Sequence, residues 1–133
     1  MTLVVDASVA VKWVLPEPDS QIAREVVGTE PLVAPDFLML ECANVLAQNV
    51  RRRRLTDAQA QSGLHRIATA GVRLIPSAPL VAQAQHLALT MSASAYDALY
   101  LAVALAENVV LLTADARFAV AAEAAYPHAV RRL

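Results

Sequence analysis

The sequence has a single cysteine, Cys42, among its 133 residues. One cysteine cannot form a disulfide within the chain, and without a second cysteine at ligand spacing a zinc site is not expected. No apolar run approaches the roughly 18 residues of a membrane span. The N-terminus lacks the basic region of a signal peptide and reaches an acid early, at Asp6. These absences predict a protein of the reducing cytoplasm that does not enter a membrane.

Lysine is almost absent, since Lys12 is the only one and the other ten basic residues are arginines. Twelve acids give a net charge of −1, so the overall charge provides no support for a nucleic-acid ligand. Four arginines are consecutive, from Arg51 to Arg54. They are suited to bind RNA phosphates or an acidic protein segment. Basic residues that end a helix favourably explain the run equally well, so its role stays open.

The pattern of apolar residues predicts an α/β fold. Hydrophobic residues make up 57% of the chain and charged residues 17%, which excludes disorder, and the length suits one domain. Strands are predicted at 3–5, 32–34, 72–75 and 109–112, with a short fifth near Val130. Helices are predicted at 7–15, 19–27, from Asp36 to the four arginines, and at 56–70, 78–91, 95–107 and 116–125. This alternation implies a mostly parallel central sheet of four to five strands.

Most of the twelve acids have an ordinary explanation in solvated connections, helix starts or exposed helix faces. Four do not, because they are embedded in apolar sequence, where a carboxylate is costly unless it is paired or binds a metal. These four are Asp6, Glu41, Asp97 and Asp115. Two of them, Asp6 and Asp115, follow predicted strands, and the carboxyl ends of parallel strands are where such folds place their sites.

Each of the four also has a simpler interpretation. Asp6, Asp97 and Asp115 lie where they can cap or begin a helix. Glu41 shares a helix face with Asn44 and Gln48, three and seven positions later, and this polar stripe is either a site or a solvated edge. The hypothesis of a site rests on the four together.

Converging carboxylates repel one another in a low-dielectric pocket, and hard divalent cations relieve that repulsion. Ligation by oxygen alone favours Mg²⁺, with Mn²⁺ as a plausible substitute. Such ions activate water and stabilise the oxygens of a phosphoryl displacement. The acids therefore predict a metal-dependent hydrolase of phosphodiester bonds, which needs no nucleophilic serine or cysteine.

The ordered motifs of the chain resemble the PIN-domain family, and most of all its VapC-type toxins. The likeness extends over nearly the whole chain and is carried by Val5-Asp6-Ala7-Ser8-Val9, Glu41-x-x-Asn44-Val45-Leu46, Tyr96-Asp97-Ala98-Leu99-Tyr100-Leu101-Ala102 and Thr113-Ala114-Asp115.

The resemblance implies a single PIN domain over residues 1–133 with three α/β/α layers. It implies a Mg²⁺-dependent endoribonuclease that acts as the toxin of a type II toxin–antitoxin pair. Asp6, Glu41, Asp97 and Asp115 would form the acidic cluster, and Ser8 and Thr113 would support it by hydrogen bonding. Asn44 is a further supporting candidate. The implied partners are RNA, a cognate antitoxin and a second copy of the chain.

Two alternatives remain at this point. A non-catalytic interaction module with a PIN-like fold would keep the acids without using them. A receiver-like phosphoacceptor is also α/β with an acidic Mg²⁺ pocket, but it needs adjacent acids after its first strand, where this chain has Ala7 and Ser8 beside Asp6.

Overall fold

The structure is a computed structural model that describes residues 1–133. Five strands form one sheet: β1 (Leu3–Val5), β2 (Leu32–Pro35), β3 (Arg73–Ile75), β4 (Val110–Thr113) and β5 (Val130–Arg132). The seven α-helices are α1 (Ala7–Ala10), α2 (Ser20–Glu25), α3 (Phe37–Arg51), α4 (Asp57–Ala68), α5 (Val81–Met91), α6 (Ala95–Glu107) and α7 (Ala116–Ala125). Two 3₁₀ segments, Val11–Trp13 and Ala78–Leu80, precede α2 and α5.

The sheet has the strand order β3-β2-β1-β4-β5, and every neighbouring pair is parallel. β2 pairs with one side of β1, and β3 pairs with β2. The next strand, β4, pairs with the other side of β1. The strand order therefore reverses at β1 and β4, and a parallel sheet opens a crevice beyond the carboxyl ends of its strands at such a point. Asp6 follows β1 directly, and Asp115 comes two residues after β4 ends.

Helices cover both faces of the sheet, so the predicted three-layer α/β/α architecture is confirmed. Because both faces are covered, the strands are continuous apolar runs rather than alternating ones. All three residues of β1 are fully buried. Helix α6 is buried along residues 98–104 and packs against β1, β2 and β4. The sheet and α6 thus form a rigid base beneath the crevice.

The first helix is shorter than predicted. The prediction was 7–15, whereas α1 ends at Ala10 and a 3₁₀ segment continues to Trp13. Pro16 has no N–H to donate into a further helical turn, and its ring disfavours a helical conformation at Leu15. The Trp13 indole Nε1 donates to the Ala23 carbonyl oxygen at 2.9 Å, which fixes the end of this segment against α2.

Asp36 stands at the N-terminus of α3 as predicted but does not cap it. Its own φ of −60° and ψ of −21° are already helical, so its carboxylate does not reach the free N–H groups of the first turn. The carboxylate instead accepts hydrogen bonds from the backbone N–H and hydroxyl of Ser77 and joins α3 to the connection after β3.

None of the helices alone has the length and apolar character required to cross a membrane. The segments 78–91 and 95–107 meet those criteria only as a pair, which is bent by 113°.

Candidate active site

The structure brings the four predicted acids together around one cleft of about 370 Å³ at the carboxyl edge of the sheet. Four elements contribute one acid each: the end of β1, the helices α3 and α6, and the connection from β4 to α7. The cleft is lined by Asp6, Glu41, Asp97 and Asp115, and also by Ser8, Lys12, Glu17 and Tyr100. Asp6 and Asp115, which are 109 positions apart in the sequence, thus line the same cleft.

Asp6 is the most firmly held of the acids. Its Oδ1 accepts from the Ser8 hydroxyl at 2.5 Å and from the Val9 backbone N–H at 3.2 Å, which also caps α1. Its Oδ2 accepts from the hydroxyl of Thr113. Burial nevertheless raises the pKa of Asp6 to about 6, because desolvation outweighs these hydrogen bonds.

The two hydroxyls that hold Asp6 also organise the chain beyond β4. The Ser8 hydroxyl accepts from the Ala114 backbone N–H at 2.9 Å. The fully buried Thr113 hydroxyl accepts from the Asp115 backbone N–H at 3.1 Å. This hydrogen-bond network ties the end of β1 to the start of α7, so the positions of Asp6 and Asp115 depend on each other.

Glu41 has an unsatisfied oxygen within the protein. Its Oε1 is buried without a hydrogen-bond partner, and so is the neighbouring hydroxyl of Tyr100. That hydroxyl lies near enough to lower the pKa of Glu41 somewhat, although it does not reach hydrogen-bond geometry. Burial, followed by the negative charges of Asp97 and Asp6, raises the pKa of Glu41 to about 7. A carboxyl in this position gains from any cation that enters the cleft.

Asp97 lies in the first turn of α6, and Asp115 is the N-cap of α7. The Ser94 hydroxyl accepts from the Asp97 backbone N–H at 3.1 Å and caps α6. Asp115 caps α7 by accepting from the Phe118 backbone N–H at 3.0 Å. Burial, with the charge of Asp115, raises the pKa of Asp97. Capping and a place in the cleft are therefore compatible, since a cap uses one carboxylate oxygen and leaves the other available.

The donor set fits a hard divalent cation in chemistry and in charge. Every candidate ligand is a carboxylate oxygen, which suits Mg²⁺ or Mn²⁺. The only cationic side chain lining the cleft is Lys12, and its ammonium pairs with Glu17 and, at 2.8 Å, with Asp19. No three of the acids are close enough to hold one ion as they stand. Mg²⁺ usually keeps several waters and needs only one or two carboxylates from the protein, so the cleft can hold it with fewer than three direct ligands.

Three polar residues of the cleft, Lys12, Glu17 and Tyr100, were not predicted from the sequence. Tyr100 lies three positions after Asp97, so helical spacing could have placed it on the same face of α6. Lys12 had no such signal, because its position depends on ion pairs with a proline-bounded connection. Asn44, predicted as a supporting residue, lines a neighbouring groove rather than the cleft itself. The roles of all these residues stay predictions.

Comparison with known proteins agrees with the fold and with the motifs. The PIN domain family model matches residues 3–124. The chain is 34% identical over 125 residues, 94% of each chain, to VapC ribonuclease Mb0985 of Mycobacterium bovis and to ribonuclease VapC9 of Mycobacterium tuberculosis.

Two solved structures share the fold. The crystal structure of PAE2754 from Pyrobaculum aerophilum superposes with a TM-score of 0.74 at 21% identity, over 91% of this chain and 79% of that one. Mycobacterium tuberculosis VapC20, described as a toxin that cleaves the sarcin–ricin loop, superposes with a TM-score of 0.71 at 20% identity, over 90% and 94%.

This chain is a parallel α/β protein with an acid-lined cleft at the carboxyl edge of its sheet, and the matches assign it to a known class. The chain belongs to the PIN-domain family, and its relatives there are VapC proteins. This assignment removes the receiver-like alternative. That the chain is a single PIN domain over 1–133 stays a prediction.

Proposed function

We propose that this protein is a Mg²⁺-dependent endoribonuclease of the VapC toxin type. The observation that carries the proposal is the convergence of Asp6, Glu41, Asp97 and Asp115 on one cleft that contains no free cationic side chain. Named VapC ribonucleases that align over 94% of the chain support the choice of RNA as substrate.

The carboxylates of the cleft differ in how firmly hydrogen bonds hold them. Ser8 and Thr113 hold both oxygens of Asp6, so this carboxylate provides a fixed reference point. Glu41 has one carboxylate oxygen without a hydrogen-bond partner, and this oxygen is available to a cation in the cleft. A bound Mg²⁺ or Mn²⁺ ion supplies a more acidic water and neutralises charge on the phosphate. The acids position that ion.

Under this proposal the protein has three partners. RNA is the substrate, a small antitoxin protein inhibits the enzyme, and a second copy of the chain completes a homodimer. Large apolar side chains that are exposed in the single chain, among them Val81 and Leu89, provide surface for the two protein partners.

The proposal is tested by incubating the purified protein with a pool of single-stranded and structured RNAs, with Mg²⁺ and with EDTA. We expect cleavage that EDTA abolishes and Mg²⁺ or Mn²⁺ restores. Asp97→Asn should reduce cleavage by at least roughly 100-fold, because a ligand of the cation is lost. The matched control is Asp57→Asn, which removes an exposed carboxylate in the first turn of α4 and should leave cleavage unchanged.

Cleavage that continues in EDTA would contradict the metal mechanism. If no RNA is cleaved, calorimetric titration with Mn²⁺ decides the next step. Binding that Asp97→Asn weakens would retain the metal site, whereas no binding would favour the non-catalytic interaction module. Expression of the wild-type chain without its antitoxin should arrest growth, and expression of Asp97→Asn should not.

A further inference from the structure

A second groove runs alongside the acidic cleft. It has a volume of about 580 Å³ and lies between the exposed face of α3 and the start of α6. Glu41 and Asp97 line both the groove and the cleft, so the two are adjacent. The groove is therefore one path for a polymer whose backbone reaches the acids.

Two aromatic rings form part of the groove wall. Phe37 and Tyr96 stack with ring centroids 5.3 Å apart and planes at 15°, and both line the groove. Tyr96 is 64% exposed, although a ring of this size is usually more buried. Phe37 holds the Tyr96 ring in place from behind, so its outer side is an ordered flat surface. Such a surface binds an unstacked nucleobase in a way that depends little on sequence.

Two amide side chains lie in the same groove. Asn44 and Gln48 come three and seven residues after Glu41 on α3, and both line the groove. Neither side chain makes a hydrogen bond within the protein. An amide both donates and accepts, and can therefore pair with the edges of unpaired bases. The polar stripe of α3 thus has groups that match the chemistry of a base.

The arginine run lies at the C-terminal end of α3, which also contains Asn44 and Gln48. Arg51 and Arg52 come ten and eleven residues after Glu41, which places them roughly 15 Å further along the helix axis. Both are exposed, and neither takes part in an ion pair. A cationic group at that distance suits the backbone of a strand that leaves the acids and follows the helix.

We infer that this groove binds the unpaired RNA strand that flanks the cleaved bond, with one base stacked on Tyr96. Asn44 and Gln48 contact base edges, and the Arg51 end of α3 binds a more distant phosphate. The inference rests on the proposed ribonuclease function and names the residues that hold the strand next to the cleaved bond. An acidic protein segment is less suited to the groove, because Glu41 and Asp97 form one end of it.

The experiment measures stacking directly. Single-stranded oligoribonucleotides that carry the fluorescent base 2-aminopurine are titrated with protein in Ca²⁺, which neutralises the carboxylates. Wild type and Tyr96→Phe should both change the fluorescence. Tyr96→Ala should lose the change and weaken binding roughly tenfold, as expected for the loss of one stacked base. Val120→Ala, which removes another highly exposed apolar side chain, is the matched control and should bind like wild type.

A second arm uses salt dependence. Arg51→Gln should lower the slope of log affinity against log salt by about 0.7, the value for one phosphate contact on a single strand. Arg73→Gln is the matched control, because Arg73 is an exposed arginine at the start of β3 that faces Glu107 at 3.7 Å. It should leave the slope unchanged.

The outcomes separate this inference from the proposed function. Fluorescence that depends on Tyr96, without RNA cleavage and without Mn²⁺ binding, would retain the groove and reject the ribonuclease. RNA cleavage with equal binding by wild type and Tyr96→Ala would reject the groove. A Tyr96→Ala variant that turns a dimer into a monomer, measured by light scattering, while the fluorescence change persists would assign Tyr96 to the interface between copies and overturn the inference.

Discussion

The hydrogen bonds around Asp6 explain how a carboxylate is kept in place in a largely apolar environment. Two hydroxyls and one backbone N–H satisfy it, and only 7% of the residue is exposed. Each hydroxyl accepts a backbone N–H of the β4–α7 connection in return. Under the proposed function, Ser8 and Thr113 are therefore positioning residues, which would act on a ligand through Asp6 rather than by touching it.

Replacing Thr113 should separate positioning from folding. Thr113→Val leaves the second oxygen of Asp6 and the Asp115 N–H without their buried partner, which costs about 1–3 kcal/mol of stability. We expect a fall in kcat and in affinity for Mn²⁺, measured by kinetics and calorimetry on protein that is still folded by circular dichroism. Thr113→Ser keeps the hydroxyl and should restore both. Equal activity of the Val and Ser variants would show that the hydroxyl does not position Asp6.

Individual residues also show what a sequence can and cannot predict about a site. Asp6 and Asp115 were predictable because each follows a strand, and Glu41 because it stands within an apolar helix. The free oxygen of Glu41 and the Tyr100 hydroxyl beside it were not, because their state depends on the packing of α3 against α6. Local patterns identify the chemical groups, whereas their distances come from tertiary structure.

At the scale of elements, local signals explain which helices were predicted accurately. Helices α6 and α7 have the predicted bounds, since Ser94 and Asp115 are N-caps that bond to the first turn. The first helix was predicted too long, because Pro16 cannot continue it and the 3₁₀ segment Val11–Trp13 replaces its last turns. The order of the strands had no local signal, since β1 pairs with residues more than 100 positions away.

Helix α4 offers a test of such a local signal away from the site. Thr56 and Gln59 form a reciprocal capping box, with hydrogen bonds of 3.1 and 2.9 Å. Thr56→Ala should lower the free energy of unfolding by about 1 kcal/mol, measured by urea denaturation, because the Gln59 backbone N–H loses the hydroxyl that accepts its hydrogen bond. RNA cleavage should not change. A loss of activity without a loss of stability would show that α4 takes part in function.

At the scale of the whole molecule, the acids of the cleft oppose folding at neutral pH in the absence of metal. The pKa values of Asp6 and Glu41 are raised to about 6 and about 7, above ordinary values of 3.8 and 4.5. The folded protein therefore holds protons that the unfolded chain releases. Its free energy of unfolding falls as the pH rises from about 4 through about 7. The cleft is less stable in the charged state that a cation requires.

The metal-free protein should consequently melt at a higher temperature at about pH 5.5 than at about pH 8, with a difference in stability of roughly 1–3 kcal/mol. Mg²⁺ or Mn²⁺ should raise the melting temperature more at about pH 8, because ligands must be deprotonated before they bind. Differential scanning fluorimetry with and without EDTA measures both effects. Asp97→Asn should reduce both. A metal-free melting temperature that rises with pH would contradict the assignment of these pKa shifts.

The central place of β1 in the sheet has a consequence for the time at which the protein becomes active during its synthesis. β1 is made first, yet its partner β4 and the hydroxyl of Thr113 that holds Asp6 are more than 100 residues later in the chain. Contacts between such distant residues form late in folding. A nascent chain still attached to the ribosome cannot assemble the cleft until residues 110–115 have emerged. An incomplete translation product without β4 would therefore be harmless to the RNA around it.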